Sequence, residues 1–286
     1  MEKKTGTHQF YADNLNSALP IIKKAVKDGL TTVAFDFEFP GMIYSTKVQP
    51  TQLKAFYAYT KKNVDALKPI QLGLTLFSTD ADKKSEFVTL EFNLEFDIDN
   101  DLHTQTSFGI LTNAGLDFEL LKSKGIDREE MKNFLNASKL FRNPEITWVA
   151  FHGNFDLCYM LKLLTMKIMP KKIEELNSLK KMIFPHIYDI KIMLQGNYLL
   201  RLKSLTKVAD YYKISTEGDA HQAGYDSKLT AKIWIEINKE DTFALSLSSY
   251  NGRIYGLSSH LPGDKNFSSK MFDDYRTYPD FICDFD

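Results

Sequence analysis

The sequence predicts an α/β fold built as one layered system, and three observations lead there. Residues 31–39 alternate: Val33, Phe35, Phe37 and Phe39 face one way and Thr32, Ala34, Asp36 and Glu38 the other, the period of two of a strand. Short runs rich in β-branched and aromatic residues recur at 70–77, 87–92 and 146–151. Helical spacing of apolar residues fills most of what remains, so strands come early and helices late. No internal repeat, low-complexity tract or Pro/Gly/Ser-rich linker divides the 286 residues, which argues for one domain.

Taken in order, the first element is a helix opened by Asn14 as N-cap and ending near Gly29, with Leu15, Leu19, Ile22 and Val26 on one face. The aromatic-rich strand at 31–39 follows and reads as central, yet it carries two carboxylates on its second face. A purely structural central strand is not expected to bury them. Strands 70–77 and 87–92, separated by the turn-prone residues 78–84, are expected to form a hairpin. Helices are expected around 104–111, 127–141, 155–166, 171–183, 202–212 and 226–237. Residues 260–286 hold six aspartates against two lysines and one arginine and are read as an acidic tail, leaving 1–259 as the folded domain.

Composition narrows the function classes. With 36 Lys and Arg against 37 Asp and Glu, the chain lacks the positive balance of proteins that coat nucleic acid through charge alone. Any nucleic-acid contact must be local. Two cysteines, Cys158 and Cys283, fit a reduced compartment rather than a disulfide scaffold. The N-terminus has no signal-peptide core and no apolar run is long enough to span a membrane, so a cytoplasmic or nuclear protein is expected.

Asp36 and Glu38, two residues apart on a strand, point to the same side about 7 Å apart. Asp156 precedes Tyr159, Met160, Leu163 and Leu164 by three, four, seven and eight, so it heads the apolar face of a helix. Asp226 stands in the same relation to Leu229, Thr230, Ile233 and Trp234. Helical side chains lean toward the N-terminus, which aims both carboxylates past the helix ends at the sheet. Either aspartate alone reads as a cap. Together with the strand pair they make four like charges that repel by about 4 kcal/mol per pair at 4 Å and an effective dielectric of 20. Bound cations would relieve this. Four carboxylates balance two divalent ions, and all-oxygen donors favour Mg²⁺ or Mn²⁺ over zinc. Two such ions suit in-line attack on a phosphodiester. His221, five residues before Asp226 and flanked by Gly218 and Gly224, is the candidate general base.

The ordered set Asp36-x-Glu38, Asp156 and His221-x4-Asp226 resembles the DEDD class of 3′ to 5′ exonucleases in its histidine-bearing subtype. More narrowly, the blocks Phe35-Asp-Phe-Glu-Phe-Pro-Gly41, Asn63-Val-Asp-Ala-Leu-Lys-Pro-Ile-Gln-Leu-Gly-Leu-Thr75 and His221-Gln-Ala-Gly-Tyr-Asp-Ser227 are similar to the Pop/Caf-type deadenylases, catalytic subunits of the NOT complex. The resemblance implies a ribonuclease-H-like mixed sheet flanked by helices, and two divalent cations held by Asp36, Glu38, Asp156 and Asp226. It further implies removal of 3′ poly(A) tails from RNA and docking onto a large helical scaffold subunit. Departures from the family's usual pattern are Gly153-Asn-Phe-Asp156, Tyr225, and Arg201-Leu-Lys-Ser-Leu205.

Other residues read more plainly. Asp189 is expected to cap the helix that follows it, and His152 to pack. Cys158 lies off the apolar positions of its helix and lacks a nucleophile's partners. His8, His103, His186 and His260 show no ligand spacing. The lysine pairs 23–24, 61–62, 171–172 and 180–181 read as solvated faces. Two rival functions remain: a general single-strand exonuclease, and a catalytically silent scaffold-binding member of the same fold.

Overall fold

The alternation around Asp36 forms the strand on which the sheet is organised. In chain order the strands are β1 (His8–Phe10), β2 (Thr32–Glu38), β3 (Gln71–Phe77), β4 (Phe87–Asn93), β5 (Thr147–Ala150) and β6 (His186–Asp189). The helices are α1 (Ala18–Lys27), α2 (Leu53–Ala66), α3 (Gln105–Asn113), α4 (Phe118–Lys124), α5 (Arg128–Ala137), α6 (Asn154–Thr165), α7 (Ile173–Ile183), α8 (Ile190–Met193), α9 (Leu205–Tyr211) and α10 (Ala223–Ile237). This computed structural model describes residues 6–45, 47–80, 86–215, 221–240 and 247–258. The acidic tail at 260–286, with Cys283 and His260, lies outside the described residues.

The six strands form one mixed sheet in the order β1-β4-β3-β2-β5-β6. β2 pairs antiparallel with β3 through seven registered residues and parallel with β5. As expected, β3 and β4 form an antiparallel pair, with Phe77 opposite Phe87. Because β5 and β6 run parallel to β2, the chain needs long crossovers to reach them, and α3 to α5 fill the gap between β4 and β5. Strands are therefore not confined to the early part of the chain. β6 carries too few residues to show a period, and β1, three residues on an edge, is shorter still.

Helices cover both faces. On one side α1, α5, α6 and α7 pack with Val33, Phe35 and Phe37; on the other α9 and α10 pack with Ala34, Val149 and Phe77. Burial on both faces makes β2 apolar except at Thr32 and its two carboxylates. It also accounts for α6, whose residues Phe155 to Leu161 are all buried, Cys158 included, so the expectation that this thiol lies off the core face is corrected. Lys180, expected on a solvated face, is buried as well, and its ammonium donates to Asn177 Oδ1 and to the Gly252 carbonyl.

The first helix also differs in detail. Asn14 does not cap α1; its side chain accepts from the Tyr11 amide at 2.7 Å and donates to the Gln9 carbonyl, while a 3-10 turn at Leu15–Ser17 leads into the helix. The fully buried stripe is Leu15, Ala18, Ile22 and Ala25, with Leu19 and Val26 half-buried beside it. Helix α2 escapes the apolar pattern because its buried positions include Thr60 and Asn63.

Helix α10 meets the sheet where β3 has no side chain. A Cβ on Gly73 would lie 1.8 Å from the Ala223 carbonyl oxygen, and one on Gly224 would lie 2.7 Å from Glu91 Oε2. Glycine inside a strand marks such close backbone approach. Polar side chains then fasten the helix start: Gln71 Oε1 accepts from the Ala223 amide at 3.0 Å, Glu91 Oε2 from the Gly224 amide at 2.9 Å, and Thr75 meets Ser227 at 2.9 Å. Gly73→Ala should thus push α10 off the sheet and cost about 1–3 kcal/mol, the usual penalty of overpacking. Urea denaturation of the two proteins measures this, and an unchanged midpoint would refute the contact's importance.

Candidate active site

Register puts the site together. Asp36 stands opposite Gly73, and Gly73 opposite Glu91; Glu38 stands opposite Gln71, and Gln71 opposite Asn93. This polar row crosses the sheet at the carboxyl end of β2, beneath the start of α10. There Asp36, Glu38 and Asp226 each bring a carboxylate oxygen within 4.8 Å of the others.

Asp156 joins from the parallel side. The pairing of β2 with β5 ends at Ala34 and Val149, so the later amides of β2 lose their strand partner on that side. Asp156, in the first turn of α6, takes one of them: its Oδ1 accepts from the Phe37 amide, between Asp36 and Glu38, at 2.9 Å. A buried amide needs an acceptor, and a helix-borne carboxylate supplies it where the sheet stops.

Two turns aim these groups. Asp226 Oδ2 accepts from the backbone amide of His221 at 3.1 Å, and His221 sits at φ +67°, so the turn that carries the imidazole is tied to the carboxylate. Asp189 is a cap, as expected, for its Oδ1 accepts from the Lys191 amide, but it does more. Fully buried, it also accepts from the amides of His152, Gly153 and Tyr255 at 2.9, 3.1 and 2.9 Å. It therefore holds the turn that launches α6 and Asp156. His152, at φ +59°, packs edge-on against Tyr255, and burial together with Lys191 pushes its pKa down to about 3. It is a packing residue held neutral.

Burial raises every carboxyl of the cluster. Asp36 and Glu38 go well above the usual range, from desolvation first and then from Asp156 and Asp226. Asp156 rises to about 7 by burial, against the pull of the Phe37 amide. Asp226 likewise rises to about 7 by burial, against the His221 amide and helped by Glu91. Glu91 was not anticipated: 1% exposed, it accepts from Gln9 and Gly224, and burial raises its pKa too. Its signal was the alternation Thr89, Glu91, Asn93, which repeats the pattern of Asp36 and Glu38.

Comparison with known proteins matches the chain to one family. The family model described as CAF1 family ribonuclease matches residues 11–147 and 139–234. The chain belongs to the CAF1 ribonuclease family. Among its relatives are the poly(A) ribonuclease pop2 of Schizosaccharomyces pombe, 32% identical over 87% of this chain and 74% of the relative. Another is the CCR4-NOT transcription complex subunit 7 of Caenorhabditis elegans, 31% identical over 89% of this chain and 84% of the relative. The structure of S. pombe Pop2p in its Mg²⁺ and Mn²⁺ bound form superposes with a TM-score of 0.80 at 31% identity, covering 87% of this chain and 99% of that one. The resemblance read from the three sequence blocks holds, and so does the ribonuclease-H-like mixed sheet that it implied.

Departures from the family pattern have structural consequences. Phe155 stacks on Phe39 with ring centroids 5.3 Å apart, so an apolar ring precedes Asp156. Tyr225 is half-buried and packs against the core beneath α10.

Without cations, the raised carboxyls make stability depend on pH. A group whose folded pKa exceeds its unfolded value stabilises below the unfolded pKa, near 4, and loses that contribution as pH rises through the folded value of about 7. In EDTA the melting temperature should therefore fall from pH 5 to 8, and Asp36→Asn should flatten the fall by removing one repelling charge. A wild-type curve that is level or rising across that window, with the variant parallel to it, would contradict the assignment of repulsion to this cluster.

Proposed function

We propose that this CAF1-family chain is a metal-dependent 3′ to 5′ exoribonuclease that shortens poly(A) tails and releases 5′-AMP. One observation carries the reading: Asp36, Glu38 and Asp226, from a strand and a helix, converge within 4.8 Å, with Asp156 bonded to the amide between the strand pair. Such a set is unfavourable unless protonated or bound to cations, and its hard oxygen donors suit Mg²⁺ or Mn²⁺. Asp36, Glu38, Asp156 and Asp226 would hold two such ions. Divalent cations held there would lower the pKa of an attacking water and stabilise the charge developing on the leaving 3′ oxygen of an in-line displacement.

The chain's own residues do the rest. His221 accepts the proton of the attacking water, since an imidazole can act as a base at neutral pH, and the bond from its amide to Asp226 keeps its turn beside the cluster. The new P–O bond forms as the bond to the 3′ oxygen breaks. Preference for adenine rests on the resemblance to deadenylases and on shape: stacked adenines hold a regular single strand. The name of the C. elegans relative supports membership of the CCR4-NOT complex, and the structure of the yeast NOT1 MIF4G domain co-crystallized with CAF1 supports a NOT1-type scaffold as partner.

Three measurements test the reading. Asp36→Ala should abolish Mg²⁺- or Mn²⁺-dependent cleavage while leaving the fold intact; comparable cleavage by the variant would sink the assignment. His221→Ala should lower turnover by about 10² to 10⁴ with Mn²⁺ affinity retained, as measured by calorimetry. A collapse of binding would make His221 a ligand instead. Labelled RNA ending in A20 should be shortened stepwise from the 3′ end and faster than RNA ending in U20. Equal rates would favour a general single-strand exonuclease, and absence of cleavage a silent scaffold-binding member.

A further inference from the structure

Beyond the carboxylates, the segment that continues β2 forms one wall of a cavity of about 490 Å³, lined by Ile43, Tyr44, Ser45, Ala58, Tyr59 and Lys62. The cavity is open to solvent, as a strand of nucleic acid requires, and no acidic side chain lines it. The Lys62 ammonium sits 3.8 Å from the centre of the Tyr44 ring. The wall is held in place: the buried Asn63 accepts from the Tyr44 amide at 3.0 Å and donates to the Tyr44 carbonyl at 3.1 Å. On the opposite wall the Tyr59 hydroxyl bonds to Met42 Sδ at 2.6 Å, and its ring lies edge-on to Phe155, the neighbour of Asp156. Tyr44 follows Glu38 by six residues, so it lies within about 20 Å of the cluster even at full chain extension.

A lone cation over an aromatic face, beside a strongly acidic phosphodiesterase site, matches the needs of a single-stranded nucleic acid. Phosphates require a positive charge that the carboxylates cannot offer, and unpaired bases require a ring to stack on. The geometry points to this groove as the seat of the RNA strand behind the nucleotide being cleaved. Lys62 meets a backbone phosphate, and Tyr44, covered on one face by Lys62, stacks on a base with the other. This rests on the proposed exoribonuclease activity, and it adds substrate-binding residues distinct from the metal cluster.

The test compares 5′-fluorescein-labelled A12 with the dinucleotide ApA, whose only phosphate is the scissile one and which has no strand beyond it. Lys62→Ala and Tyr44→Ala should each raise KM for A12 about tenfold, the effect expected when one base or phosphate loses its partner, with kcat within twofold. kcat/KM on ApA should stay unchanged, and Tyr44→Trp should retain affinity for A12. Binding of A12 by the Asp36→Asn protein in EDTA, followed by fluorescence anisotropy, reads the groove without turnover. There Lys62→Ala should reduce the slope of log affinity against log salt by about 0.7, one phosphate contact on a single strand. Unchanged A12 affinity and salt slope in both alanine variants, or equal losses on A12 and ApA, would overturn the proposal. If the wild type cleaves neither substrate, the nuclease reading fails, and the anisotropy series still decides the groove.

Discussion

Like-charge repulsion among buried carboxylates is the constraint to which the rest of this structure answers. Charges 4 Å apart repel by about 4 kcal/mol at an effective dielectric of 20, and a fold that gathers Asp36, Glu38, Asp156 and Asp226 must hold each one against its neighbours. Backbone donors do so for Asp156 and Asp226. The Phe37 amide holds Asp156, the His221 amide holds Asp226, and the Gly224 amide holds Glu91 beside them. A hydrogen bond to a charged group contributes about 1.5–3 kcal/mol, enough to orient each carboxylate without cancelling the repulsion. The remaining strain leaves the cluster poised for cations.

The mixed sheet is what makes those donors available. β2 has an antiparallel neighbour along its whole length but a parallel neighbour along less than half of it. The amides left over on the β5 side are where a helix-borne carboxylate can enter. On the antiparallel side, Gly73 removes the one side chain that would keep α10 at ordinary distance, so the start of the helix reaches the strand and brings Asp226 with it. Asp189, on β6, extends the same logic one strand further: it fixes the turn into α6 with two amide bonds and accepts two more from Lys191 and Tyr255.

Much of this was legible in the residues. The alternation at 31–39 shows a strand whose second face carries Asp36 and Glu38, and helical spacing shows that Asp156 and Asp226 begin buried faces. These are local properties, set by periods of 2 and 3.6. What escaped was short or polar. β1 and β6 hold three and four residues, too few for a period to show, and α2 hides because polar Thr60 and Asn63 occupy its buried face. The stripe of α1 was misplaced because alanine, which is small, buries more readily than the larger Leu19 and Val26 at its sides. Cys158 looked peripheral because a helix covered on all sides has no polar face for the pattern to reveal, and Lys180 because a lysine pair hid its place on the buried stripe of α7 with Ile173, Leu176 and Ile183.

The sequence by itself determined which groups gather at the edge of the core and which chemistry they can do: an all-oxygen, four-carboxylate set with a histidine five residues from the last ligand position. Periodicity is a short-range property, so it survives without coordinates. Only the tertiary structure decided how the carboxylates converge. It shows that Asp156 completes the β2 ladder, that Glu91 stands beneath α10, that Asp189 binds four amides rather than one, and that Tyr44 and Lys62 line a cavity. Those facts depend on strand register and on crossovers between residues from under twenty to more than a hundred positions apart. No local pattern encodes them, because the partner that satisfies each group is chosen by packing.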